Sequence, residues 1–110
     1  MRFLSIYTPD KPTQPTAEEY EAMGQLVQEF MEKGILIDTG GLLPLSQGIA
    51  LRCKDGKVSK IDGPFAESKE VVAGYAIMEG ENIDDLIKAC DRFFQLAGEG
   101  TCEIRPIMQG

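Results

Sequence analysis

The 110-residue chain contains no histidine and no tryptophan. Without histidine it lacks the commonest general base near neutral pH, the usual metal ligand, and any Ser–His or Cys–His catalytic couple. Cysteine is sparse: Cys53, Cys90 and Cys102 are odd in number and form no C-x-x-C pair. Each falls within an apolar pattern, so the three read as small core residues of a reducing compartment. No acidic cluster has the spacing of a calcium loop, so neither a metal nor a cofactor is expected. Basic residues are outnumbered, 11 against 18 acidic ones, which leaves a net charge of −7. That balance argues against nucleic acid and against anionic membrane surfaces as partners. No apolar run approaches the ~20 residues of a membrane helix. Residues 1–7 are interrupted by Pro9 and Pro12 before they reach signal-peptide length, so the expected location is cytoplasmic.

What is present is ordinary for a globular protein: 43% hydrophobic and 26% charged residues. A chain of this length is expected to form one domain, residues 1–110, and to bury roughly two-thirds of its unfolded surface.

The local patterns alternate between strand and helix. Residues 2–8 read as a strand, followed by a loop with Pro9, Pro12 and Pro15. Thr16 and Glu19 form a capping box, and Glu18 and Glu21 lie near the positive end of the helix dipole. Tyr20, Met23, Leu26, Val27, Phe30 and Met31 give this helix its apolar stripe, and Lys33-Gly34 ends it. Gly24, at its centre, is expected to mark close packing against a sheet. Ile35 to Thr39 reads as the returning strand, broken by Gly40, Gly41 and Pro44. Residues 49–53 and 58–61 flank Asp55-Gly56, a strong hairpin signal. Residues 71–78 are apolar on both alternating faces, as a central strand covered on both sides would be. Asn82 opens a second helix with Ile83, Leu86, Ile87, Cys90, Phe93, Phe94 and Ala97 as its stripe. Gly98 and Gly100 end it, and residues 101–107 form a last strand, placed at an edge by Pro106.

The order is β-α-β, a hairpin, then β-α-β. It predicts an α+β fold: a ferredoxin-like antiparallel sheet with two helices on one face. The face that the helices leave open carries apolar residues, and a second copy of the sheet is the simplest cover, which predicts a two-fold homodimer.

The run Asp62-Gly63-Pro64-Phe65-Ala66-Glu67-Ser68-Lys69-Glu70 concentrates a turn, a rigid proline, acids, an aromatic ring and a lysine. With Asp38-Thr39-Gly40-Gly41-Leu42, Gly74-Tyr75 and Glu103-Ile104-Arg105-Pro106-Ile107-Met108, it resembles the DGPF group of YCII-related bacterial proteins. The resemblance implies a dimeric α+β-barrel of ferredoxin-like halves. It also implies one of two activities. Some relatives are lactone isomerases or dehalogenases acting on aromatic breakdown products, and DGPF members often occur beside sigma factors, which points to regulation. The His–Asp pair proposed as the active site in the YCII branch does not carry over. Its histidine position falls at or near Met23, and a thioether moves no protons; the aspartate has its counterpart in Asp38.

Asp38 and Asp62 are therefore the catalytic candidates, if there is catalysis. Each has a plainer alternative; for Asp62 it is a carboxylate that shapes its own turn. Tyr7, Asp38, Asp62, Phe65, Glu67 and Lys69 are the candidate ligand contacts. Phe65 could instead plug the core or a dimer seam, and Glu67 with Lys69 could be an exposed pair worth under ~1 kcal/mol. Two functions follow. One is a homodimeric small-molecule-binding or regulatory module. The other is a cofactor-free enzyme that moves a proton on a small carbonyl or lactone compound with an Asp carboxylate.

Overall fold

Strand β1 (Arg2–Pro9) is an interior strand of its sheet, with its backbone groups paired along both edges. The computed structural model describes residues 1–11, 14–61 and 72–109. After β1 come α1 (Ala17–Glu32), β2 (Leu36–Gly41), a single 3-10 turn at Leu45–Gln47, and the hairpin β3 (Ala50–Lys54) and β4 (Lys57–Ile61). Then follow β5 (Gly74–Glu79), α2 (Ile83–Ala97) and β6 (Gly100–Pro106). One sheet has the order β2-β5-β1-β6 with every pairing antiparallel, the ferredoxin-like arrangement; β3 and β4 form a separate two-stranded sheet.

The helix starts are set by their caps. Thr16 Oγ1 accepts the Glu19 amide at 3.1 Å, and Asn82 Oδ1 accepts the Asp84 amide at 3.0 Å. Gly34 (φ +74°) and Gly98 (φ +91°) turn the chain out of α1 and α2 in a conformation that favours glycine. Asp55 and Gly56 both have positive φ, 53° and 76°, as a tight hairpin turn requires.

One face of the sheet carries the core. Phe3 (β1), Leu36 (β2) and Met78 (β5) are buried against Leu26 and Phe30 of α1 and Leu86, Ala89 and Cys90 of α2. Directly opposed strand residues share a face. The register Phe3↔Met78, Ser5↔Ala76 and Ser5↔Ile104 therefore assigns these residues to the helix side. The alternate set, Leu4, Ile6, Tyr75 and Ile77, lies on the face without helices and is half-exposed. Arg92 of α2 forks onto Glu29 of α1, with Nη2 to Oε1 at 3.1 Å, and its guanidinium sits 5.3 Å from the Phe30 ring centre.

Four local expectations are corrected. Gly40 and Gly41 extend β2 instead of breaking it, because glycine lets the strand run under the Tyr75 ring. Gly24 is exposed, and nothing stands within 4 Å of where a β-carbon would be, so it marks no close packing. Tyr20, Met31, Ile83 and Ile87 fall at helical spacing but on the rims of their stripes, and all four are exposed. Cys53 is exposed too, since it sits on the hairpin, away from the core.

Candidate functional site

A one-residue irregularity in β2 sets up the site. The register passes from Leu36↔Met78 to Asp38↔Ile77, so Ile37 is extra. Without it Asp38 would oppose Ala76 and point toward the helices. With it, Asp38 shares the open face with Ile77 and Tyr75. Both carboxylate oxygens are engaged: Oδ1 accepts the Thr39 amide at 2.9 Å, and Oδ2 accepts the Tyr75 hydroxyl at 2.9 Å. Thr39 Oγ1 donates to the Tyr75 carbonyl at 2.8 Å, which ties the two strands together at this point.

Tyr75 reaches Asp38 because nothing stands on Gly40. A β-carbon there would meet Tyr75 Cε1 at 2.9 Å. The hydrogen bond to the Asp38 carboxylate raises the Tyr75 phenol above its ordinary value, with smaller contributions from desolvation and from the charge itself. Leu4, Ile6 and Ile77 lie beside the pair on the same face. The arrangement is an acceptor and a donor held at the edge of an apolar platform. It can orient a small polar molecule, or take a proton from one.

Tyr7 lies on the opposite face. Its hydroxyl donates to the carbonyls of Ala97 and Gly98, both at 3.4 Å, and its ring meets Phe93 edge-on at 4.9 Å. Burial is the main cause that lifts its phenol above the usual range. The structure therefore separates Tyr7 from Asp38 and gives it the task of fastening the end of α2. Met23, the position of the YCII-branch histidine, packs against the core on the helix side and is likewise not brought to Asp38. Asp62, Phe65, Glu67 and Lys69 lie outside the described residues. Tyr75 is not among the candidate contacts that the sequence points to. Its Tyr-after-Gly setting opposite Gly40-Gly41 is the available signal.

Two surface depressions lie elsewhere. A shallow depression of 470 Å³ is lined by Asp10, Phe94, Gly98, Glu99 and Gly100. Among the described residues its ionisable groups are two acids, and neither Tyr7 nor Asp38 lines it. A smaller one of 280 Å³ is lined by Cys90 and Cys102 with Ile87, Asp91, Phe94 and Ile104. Hydrogen bonding between the two thiols pushes Cys90 up, which burial reinforces, and brings Cys102 down. No group of three or more Cys, Asp or Glu residues able to hold a metal occurs among the described residues.

A family model described as the YCII-related domain matches residues 1–109. An uncharacterized protein of Rhizobium meliloti (strain 1021) is 30% identical over 81 residues, which is 73% of this chain and 65% of that protein. The chain thus spans just under two-thirds of that relative's length. Among solved structures, 5-chloro-2-hydroxyhydroquinone dehydrochlorinase (TftG) from Burkholderia phenoliruptrix AC1100, in complex with 2,5-dihydroxybenzoquinone, aligns with a TM-score of 0.58. The match has 20% identity and covers 100% of this chain and 96% of that one. The divalent cation tolerance protein CutA1 from Thermus thermophilus aligns with a TM-score of 0.49 and 12% identity, over 100% of this chain and 87% of that one.

Proposed function

The chain belongs to the YCII-related domain family, and on that premise we propose that it is a homodimeric module that binds a small organic molecule at Asp38 and Tyr75. One observation carries this reading: a carboxylate and a phenol, already hydrogen-bonded at 2.9 Å, stand at the rim of an apolar sheet face that neither helix covers. Ligand sites are mostly apolar surfaces with a few converging polar groups. A second copy lying over this face would enclose the platform and leave the Asp38–Tyr75 rim as the entrance. No cofactor enters this reading. A cytoplasmic setting, where thiols stay reduced, suits the three free cysteines.

The second reading is an enzyme. Asp38 would take a proton from a small carbonyl or lactone compound, and the Tyr75 hydroxyl would stabilise the developing oxyanion. What favours it is that the same fold in TftG is named a dehydrochlorinase and holds 2,5-dihydroxybenzoquinone.

Sedimentation velocity and a thermal-shift screen against lactones, enol acids and hydroxyquinones test both readings. A ligand at ~100 times its dissociation constant adds ~2.7 kcal/mol. For a binder, Asp38→Asn abolishes the shift; for an enzyme, it spares the shift and abolishes turnover. A monomer that no compound in the panel stabilises overturns the proposal.

A further inference from the structure

Among the described residues the hairpin β3–β4 stands apart from the four-stranded sheet. Among the described residues its strands pair only with each other, and every residue in them except Ala50 is exposed. A lone two-stranded hairpin is marginally stable in water. The radius of gyration is 16.1 Å, against about 13 Å for a compact chain of this size.

The hairpin is two-sided. Register and alternation put Leu51, Cys53, Val58 and Lys60 on one side, and Ala50, Arg52, Lys54, Lys57, Ser59 and Ile61 on the other. On the first side, Leu51 is 61% exposed and Val58 66%. The chain leading into the arm continues the apolar band with Leu42, Leu43, Leu45 and Ile49, all exposed. Surface hydrophobics scattered singly need no explanation, but a band concentrated between residues 42 and 61 marks a contact surface.

The charge of the arm is opposite to that of the body. Residues 50–61 hold Arg52, Lys54, Lys57 and Lys60 against Asp55, so the arm is +3 and the remainder of a chain of net −7 stands at −10. The open sheet face, the other unsatisfied apolar surface, carries Asp38, Glu79 and Glu103 against Arg2 and Arg105. Each surface therefore meets the chemical needs of the other. A single chain shows them apart, whereas a two-fold pair satisfies both at once, with each arm on the other subunit's sheet. A phosphate backbone would match the arm alone, but the −10 body would repel it.

We propose that the β3–β4 arm clasps a second copy of this chain, laying Leu51 and Val58 along the open sheet face and bringing Lys60 toward the Asp38-bearing rim. The inference rests on the homodimer reading above and goes beyond it. It makes the arm the clasp, and it makes each small-molecule site incomplete without the other subunit.

The test is sedimentation velocity over a concentration series for the wild type, Leu51→Glu with Val58→Glu, and Lys57→Glu with Lys60→Glu. These side chains are exposed in the single chain, so circular dichroism should be unchanged. The expected result is a wild-type dimer, a loss of affinity of at least about ten-fold in the apolar pair of substitutions, and salt-sensitive weakening in the charge pair. Hydrogen exchange should show arm amides protected in the dimer and exchanging freely once Leu51 and Val58 are replaced. A wild-type monomer overturns the homodimer reading itself. A wild-type dimer whose affinity and arm protection survive Leu51→Glu with Val58→Glu overturns the clasp alone.

Discussion

Gly40 and Tyr75 stand opposite each other in the β2–β5 ladder, and the tyrosine ring fills the space that a β-carbon on Gly40 would need. Gly40→Ala should therefore displace the ring and break its hydrogen bond to Asp38. Crowding of this kind costs ~1–3 kcal/mol. The melting temperature should fall by ~4–8 °C per kcal/mol in a domain of roughly this size. Gly24→Ala, made at a helical site with open space around it, should be neutral or stabilising by up to ~1 kcal/mol. Thermal unfolding of the two variants side by side checks both.

The Asp38 carboxylate holds the Tyr75 phenol in its protonated form. Because the folded value lies above the unfolded one, the associated stability is fully present below about pH 10 and is lost as pH rises through the folded value. Asp38→Asn should bring one phenol back toward its ordinary range in a spectrophotometric titration of tyrosinate. An unchanged titration curve would mean that the two groups do not interact in solution.

Tyr7→Phe removes two long hydrogen bonds to the end of α2 but keeps the ring against Phe93. A stability loss of ~0.5–1.5 kcal/mol is expected, with ligand affinity untouched. If affinity falls while stability holds, Tyr7 belongs to a ligand site after all.

Glu29 sits beneath Arg92 and Lys33, whose hydrogen bonds bring its carboxyl from 4.5 down to about 2. A depressed carboxyl contributes stability above its unfolded value, and that contribution disappears as pH falls from about 4.5 toward 2. Glu29→Gln should flatten the acid limb of the stability curve over that window. Arg92→Lys should retain part of the effect, since lysine keeps the charge but not the two-pronged geometry.

The hydrogen bond from Cys90 favours the thiolate of Cys102, which is only partly covered and lines the smaller depression with it. In a Cys53→Ser background, iodoacetamide should label Cys102 below the usual thiol pH range and leave Cys90 unmodified. Labelling of Cys90 first, read by peptide mass mapping, would reverse that assignment.

Local chemistry made most of the fold legible. The Thr16–Glu19 box, the Asn82 cap, the Asp55-Gly56 turn and the glycines at 34 and 98 act within a few residues of themselves, so their positions in sequence are their positions in structure. The antiparallel ferredoxin-like order followed from the succession of elements. Asp38 was legible as a candidate, but its partner was not. Tyr75 comes to it across a ladder whose register depends on one extra residue at Ile37, and no spacing rule reports a bulge. Gly40 and Gly41 read as strand breakers for the same reason, because their fitness for a strand depends on a distant ring, that of Tyr75.

The sequence by itself determined the element order, the caps and turns, the family and the acidic balance, because each depends on composition or on neighbours along the chain. Only the tertiary structure decided which face each side chain occupies. It sent Tyr7 to the helices, Asp38 and Tyr75 to the open sheet, and the β3–β4 arm away from the core. The physical reason is that facing is a property of register and packing between distant strands, and one inserted residue reverses it.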